Sequence, residues 1–396
     1  MAVKQCYLNA LGILCALGDS AVSVKKNILA QQQTLTRTDD FSPNTPLELG
    51  LYQGDLPEIP WSDNQWRSRN NQFALAAVQQ INLQIEGAIQ RYGANRVAVI
   101  IGTSTSGSFE CELAVRSWVQ DSAIPSDYDY RQQEMGSPAH FIAKTYGLKG
   151  PCYAISTACS SGAKALAAAR RLIRSDICDA VITGGVDTLC HLTVQGFSSL
   201  EAVSDDRCNP FSKNRKGINI GEGAALFLMT AEKIGIELTG VGEGSDAYHI
   251  SAPDPTGAGA IRCMSAALKD ATVTADEVDY VNLHGTATNL NDHMESLAMY
   301  EVFGPDTWCS STKPFTGHTL AAAGAVEAGI CWLALENSIA DPFLPVHLWD
   351  GVIDPALPLL NFVTATAKLD KPLRYALSNS FAFGGNNISL LLGHIK

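Results

Sequence analysis

The chain of 396 residues is 46% hydrophobic and only 17% charged, enough to bury a large core in two domains or one duplicated unit. Its 28 Lys and Arg against 40 Asp and Glu leave a formal net charge of −12, which excludes general nucleic-acid binding, because tracking phosphates takes an excess of cations. The 11 cysteines are odd in number and contain no CxxC pair, so they read as small buried hydrophobes in a reducing compartment, not as a disulfide framework or a structural zinc site.

The apolar stretch 6–17 contains Asn9, is too short to span a bilayer and lacks a small-residue cleavage site. It reads as a first strand and turn of a cytoplasmic protein with no membrane insertion. The spacing then predicts a helix over 71–91, a buried strand over 96–102 (RVAVIIG), a helix over 163–175 and a strand over 180–184 (AVITG). Strands over 224–229, 278–283 and 388–392 alternate with helices over 259–270, 292–302 and 322–336, the pattern of an α/β protein with covered sheets. A change of character at 232–239 divides the chain into 1–235 and 236–396.

Chemistry concentrates at three places. In YAISTACSSG (153–162) a strand runs through small residues into an alanine-rich helix, which sets the Cys159 sulfur at a helix N-terminus, where the backbone dipole favours a thiolate. On that reading Cys159 is the most reactive thiol; on the bland one it is one more buried cysteine. HGTAT (284–288) follows a strand and KPFTGH (313–318) precedes a helix, so His284 and His318 each sit where a regular element meets a loop. GTSTSG (102–107) misses the spacing of a serine-hydrolase elbow, and GVGEG (240–244) is not a dinucleotide fingerprint. Arg67, Arg69 and the group Lys213, Arg215 and Lys216 are local cations that an acidic protein partner would need.

TACSSG (157–162), HGTATNLND (284–292), KPFTGHTLAAAGAVEAG (313–329) and SNSFAFGGNN (378–387), in that order, resemble the signature blocks of the β-ketoacyl synthases. The resemblance implies a thiolase-like fold, two related α/β halves in a five-layered α-β-α-β-α core. The first half would carry the nucleophile and the second the histidines. It implies decarboxylative condensation of an acyl thioester with malonyl-[acyl-carrier-protein], giving a 3-oxoacyl product and CO2, in fatty-acid, polyketide or aryl-polyene biosynthesis.

Carried over to this chain, Cys159 is the nucleophile, His284 and His318 serve the decarboxylating step, and Lys313 supports the histidines. Phe383 stands beside the reaction centre, its backbone N–H joining that of Cys159 in an oxyanion hole. Thr286 and Thr288 contact the phosphopantetheine arm, and Ser106, Ser108 and Phe109 line the acyl pocket. Glu295, Glu327 and Asn386 fall near a structural or ion-binding cluster. No metal and no resident cofactor are implied, since the phosphopantetheine arm arrives with the carrier protein. The expected partners are an acyl carrier protein and a second copy of the chain, or a chain-length-factor-like subunit in a heterodimer.

Two positions depart from the family pattern. Ala382 replaces a glycine before the phenylalanine and would restrict that loop if the position needs a positive φ, and Asn386 replaces a threonine. A thiolase or an initiating synthase acting on coenzyme A esters is the rival enzyme, disfavoured because thiolases use a second cysteine and initiating synthases a histidine–asparagine pair. A non-catalytic chain-length factor would lack Cys159.

Overall fold

A computed structural model describes residues 4–336, 344–369 and 371–394. Apart from a short hairpin of Thr36–Thr38 and Leu47–Leu49, the first five strands are β1 (Tyr7–Cys15), β2 (Val97–Gly102), β3 (Cys152–Ile155), β4 (Ala180–Asp187) and β5 (Gly223–Thr230). Five more match them, β6 (Ile236–Ser245), β7 (Tyr280–Asn282), β8 (Trp308–Ser310), β9 (Tyr375–Ala382) and β10 (Asn386–His394), and the two-residue strand Asn361–Phe362 adds in parallel to the outer edge of β8. The first set lies side by side in the order β3-β2-β4-β5-β1 and the second as β8-β7-β9-β10-β6, the same order offset by five. Pairing directions repeat too. β2 runs parallel to β3 and β4 as β7 does to β8 and β9, and the remaining neighbours in each set are antiparallel. The sets meet edge to edge where Tyr7 faces Glu237 and Leu8 faces Ile236.

The helices are α1 (Ala21–Leu29), α2 (Arg69–Gln80), α3 (Asn82–Tyr92), α4 (Ser108–Asp121), α5 (Ser137–Tyr146), α6 (Ser161–Arg174), α7 (His191–Ser199), α8 (Ala258–Ala271), α9 (Asn289–Phe303) and α10 (Ala323–Glu336). Side-chain alternation sorts them into layers. Val97, Val99 and Ile101 of β2 face outward onto Phe73 and Val78 of α2 and Phe141 of α5, whereas Ala98 and Ile100 face inward onto α6 and α10. In the second half Val281 and Leu377 face Met264 of α8 and Met294 of α9, while Tyr280 and Ala376 join the inner core. The layers therefore run α-β-α-β-α, with α6 and α10, one from each half, in the middle. Strands covered on both faces read as unbroken apolar runs, which is why their period was invisible in the sequence.

The expected helix over 71–91 is two helices. Ile81 leaves helical geometry (φ −116°, ψ 21°), and the Gln80 side chain turns to bond both the N–H and the C=O of Ile13 on β1. Every residue from Ala323 to Leu335 of α10 is buried, as a helix apolar on all sides must be. Among the described residues no helix is long and apolar enough to cross a membrane.

Glycine and alanine let the middle layer close. A Cβ on Gly102 would lie 2.4 Å from the Gly162 nitrogen, one on Gly162 2.8 Å from the Ala321 oxygen, and one on Gly324 2.9 Å from the Ala163 Cβ. Gly162→Val should therefore lower stability by about 1–3 kcal/mol through overpacking. Gly87→Ala, in α3 with nothing within 4 Å of the added Cβ, should raise it by about 0.4–1 kcal/mol. Urea midpoints at unchanged m-value measure both, and equal effects at the two glycines would refute the close-approach account.

Candidate active site

The repeated topology places Cys159 and His318 at equivalent points, each between the third strand of its half and a central helix. Cys159 lies after β3 and just before α6; His318 lies after β8 and a single helical turn, Lys313–Thr316, and just before α10. Because α6 and α10 converge at their N-termini, His318 Nε2 stands 3.0 Å from Cys159 Sγ. The turn beneath the sulfur is held by hydroxyls: Ser161 Oγ accepts from the Thr157 N–H and donates to Ala158 C=O, and Ser160 Oγ donates to Thr157 C=O. Ala158 adopts φ 52°, a left-handed conformation that an alanine occupies only where its surroundings enforce it.

Burial pushes the Cys159 thiol up to about 12, against the pull of the Lys313 charge and of the backbone N–H groups of Cys159 and Phe383. Burial therefore opposes the thiolate that the helix terminus favours. What the terminus supplies, with Phe383, is a pair of N–H groups that stabilise charge once it forms on the sulfur. Deprotonation needs a base, and His318 is in contact.

His284 follows β7, the second strand of its half. Its N–H and that of Gly285 each donate to Glu295, at 2.7 Å, and burial pushes that carboxyl up to about 7. Lys313 Nζ donates to the His284 carbonyl and to Glu327, and lies 3.3 Å from His284 Nδ1. An ammonium has only protons to give, so Nδ1 accepts and the ring proton sits on Nε2. The two rings meet edge to face at 5.3 Å, and one ligand atom from each of Cys159, His284 and His318 lies within 4.8 Å of the others. Burial, then the Lys313 charge, hold both imidazoles well below their ordinary range, so both are neutral at physiological pH.

The triad opens into a cavity of about 330 Å³ whose wall includes Thr286, Thr288, Phe197, Phe381 and Phe383. The Thr286 and Thr288 hydroxyls are 2.9 Å apart, and Thr288 also caps α9 through the Asn291 N–H. Phe383 is 37% exposed, its ring 5.5 Å from Phe197. Ala382 is extended (φ −104°), so its Cβ meets no backbone penalty in this conformation, and the positive φ angles fall on Gly384 and Gly385. Asn386 accepts from Lys164 Nζ of α6 at 3.2 Å.

Ser106, Ser108 and Phe109 are not on this wall. Ser106 is buried with its hydroxyl given to the carbonyls of Gln132 and Glu134, Ser108 bonds Thr105 C=O and faces a separate groove beside α4, and Phe109 stacks on His191. Of the local cations, Arg69 is tied to buried Glu222 and Arg215 to Asp354, which leaves Arg67, Lys213 and Lys216 exposed. Lys216 lines the catalytic cavity and also an adjoining basic hollow with Arg207 and Lys213.

Three positioning residues escaped the sequence reading. Asp187, ending β4, takes hydrogen bonds from Thr103, Ser104, Thr105 and the Ala321 N–H, tying the first half to the start of α10. A carboxylate closing an otherwise apolar strand, GGVD, was its one available signal. Asn219 accepts the His318 N–H on its carbonyl at 2.6 Å, while its side chain pins the 204–208 loop. His347 accepts from the Ser311 N–H and contacts Pro210 C=O, and burial lowers it to about 3; Ser311 in turn bonds Gly285 C=O.

Residues 68–233 match the family described as Beta-ketoacyl synthase, N-terminal domain, and residues 236–347 match Beta-ketoacyl synthase, C-terminal domain. The 3-oxoacyl-[acyl-carrier-protein] synthase 2 of Staphylococcus aureus (strain COL) is 30% identical over 413 residues, with 98% of each chain covered. Among solved structures, the ketosynthase ApeO in complex with its chain length factor ApeC, from Xenorhabdus doucetiae, is 44% identical with a TM-score of 0.94, covering 99% of this chain and 98% of that one. The ishigamide ketosynthase/chain length factor is 25% identical with a TM-score of 0.88 over the whole of both chains. A match of this extent to both domains, over a duplicated sheet with a cysteine and two histidines at its centre, means that the chain belongs to the β-ketoacyl synthase family.

Proposed function

We propose that this protein is the condensing subunit of a carrier-protein-dependent synthase, which loads an acyl group on Cys159 and extends it with malonyl-[acyl-carrier-protein]. The observation that carries the reading is the Cys159 Sγ to His318 Nε2 contact of 3.0 Å at the base of the cavity. In the first half-reaction Sγ attacks the acyl thioester carbonyl as its proton passes to His318. The N–H groups of Cys159 and Phe383 hold the oxyanion, and collapse expels the carrier thiolate, which takes the proton back. In the second, the bond from the malonyl carbon to its carboxylate breaks and CO2 leaves. The enolate oxygen accepts N–H bonds from neutral His284 and from His318 once its ring proton has exchanged from Nδ1 to Nε2, the carbon attacks the acyl-sulfur carbonyl, and Cys159 departs as a thiolate that a solvent proton returns to the thiol. No resident cofactor enters this scheme; the phosphopantetheine arm comes with the carrier, and Thr286 and Thr288 are placed to meet it.

The partner is a chain-length-factor-like subunit. Helix α4 buries only Ala114 and leaves Leu113, Val115, Trp118 and Val119 exposed, with Leu192 of α7 also bare. A helix of this length owes its stability to packing, so this face calls for a partner. Two similar structures were solved as ketosynthases with a chain length factor, one of them 44% identical to this chain, which supports pairing with such a subunit.

Cys159→Ala should abolish acyl loading, seen by intact-protein mass spectrometry, but retain malonyl decarboxylation, seen as CO2 release. His284→Ala loads normally and loses about 10²–10³ in decarboxylation, the usual cost of one oxyanion donor, whereas His318→Ala slows both steps because it is base and donor in turn. Normal loading by His318→Ala would refute its role as base. Reversal of Lys213 and Lys216 to Glu should raise KM for a carrier-bound thioester more than for a small mimic, and Arg67→Glu less. Finally, Val119→Glu with Trp118→Glu should prevent a stable complex with a co-expressed chain-length-factor-like subunit in analytical ultracentrifugation; an undiminished heterodimer would clear α4 of the interface.

A further inference from the structure

We propose that Cys159, His284 and His318 also form a binding site for a zinc-like divalent cation, whose occupancy reversibly blocks condensation. The inhibition half rests on Cys159 being the nucleophile, as argued above. The three ligand atoms lie within 4.8 Å of one another, all three residues are buried, and they are the only such group of three or more potential ligands among the described residues. Bonds of about 2.3 Å to a thiolate and 2.0–2.1 Å to imidazoles in a tetrahedral site put the donor atoms about 3.3–3.6 Å apart. The 3.0 Å contact of Cys159 with His318 therefore has to widen by about half an ångström, while His284, in a group spread over as much as 4.8 Å, has to draw in by about 1 Å, which a side-chain rotation supplies.

The site is preorganised by hydrogen bonds that already hold each of the three residues. The Cys159 turn is held by Ser160 and Ser161, His284 by Glu295 and Lys313, and His318 by Asn219. Lys313 at Nδ1 keeps His284 Nε2 toward the other ligands, the orienting task that outer partners perform in metal sites, although freeing Nε2 takes a proton from the His284–Lys313 pair beside Glu327, a cost that keeps the affinity below that of a structural zinc. Three protein ligands leave a fourth position facing the cavity, the open pattern of sites that exchange ligands. Charge balances as well: the dication enters as two protons leave, one from Sγ and one from the pair of His284 and Lys313. The bound cation occupies the electron pair that would attack the acyl carbonyl and the two imidazole faces that would stabilise the enolate.

The test uses the full-length purified protein stripped of metal. Cd²⁺ titration should reach one ion per chain, with the ultraviolet band of a sulfur-bound ion. Zn²⁺ should protect Cys159 from iodoacetamide, mapped by peptide mass spectrometry, and stop condensation until EDTA restores it. Protein already alkylated at Cys159 should not bind, which needs no variant to fold, and His284→Ala should weaken binding at least about tenfold. Cys152→Ser removes the sulfur 3.6 Å from His140 Nδ1, a cysteine–histidine contact outside the site, and should change nothing. Binding that survives alkylation of Cys159, or that Cys152→Ser abolishes, would overturn the site. An enzyme that loads and condenses normally yet ignores Zn²⁺ would overturn this proposal alone, whereas a cation on Cys159 with condensation undiminished would overturn both the inhibition and the nucleophile assignment.

Discussion

The absence of side chains where α6 meets α10 is the constraint from which the rest of this structure follows. Gly102, Gly162, Gly185 and Gly324 stand where any Cβ would collide with backbone or with an alanine of the facing segment. Because the two central helices can close to that distance, their N-termini converge, and the residues that precede them, Cys159 and His318, come into contact from opposite halves of the chain. A duplicated fold thus yields an asymmetric pair: the same structural position carries a cysteine in one half and a histidine in the other. Asp187 reinforces the joint by accepting from both the 103–105 loop and Ala321.

Around this contact the protein keeps the reacting groups neutral and moves the charges one step back. Burial holds Cys159 as a thiol and both histidines as free imidazoles, while Lys313 and Glu327 face each other behind them. Removing one member of such a pair strands the other in a dry interior, at a cost of about 3–5 kcal/mol, so Lys313 and Glu327 are structurally inseparable. The arrangement suits a reaction in which negative charge appears twice, first on a carbonyl oxygen and then on an enolate. Donors that are neutral at rest and already aimed need no reorganisation when that charge arrives.

The outer surface divides its tasks by chemistry. The mouth of the cavity adjoins the basic hollow of Arg207, Lys213 and Lys216 in a chain of net charge −12, so cationic side chains gather beside the reacting groups. The α4 face is apolar instead. Arg69 and Arg215, which look equally available in the sequence, are spent inside the protein on Glu222 and Asp354.

Much of this was legible in the residues. Alternating apolar strands and helices gave the α/β class, and the resemblance of the four motif blocks to the β-ketoacyl synthases picked out Cys159, His284, Lys313, His318 and Phe383, with small neighbours around Cys159 as the one independent physical sign. The spacing also located most elements, failing at Ile81, where a tertiary bond from Gln80 to β1 outweighs helical propensity. What the tertiary structure alone decided were properties that depend on surroundings, not on identity. The dipole at a helix N-terminus suggested a thiolate, but burial sets the thiol near 12. Ser106, Ser108 and Phe109 were assigned to the acyl pocket by resemblance yet are not on the wall of the cavity, and Asp187, Asn219 and His347 lie outside every motif block yet hold the site together. Sequence fixes which groups exist and in what local turn they sit. Desolvation, hydrogen-bond partners and distance across the fold arise only when segments more than a hundred residues apart are packed against one another.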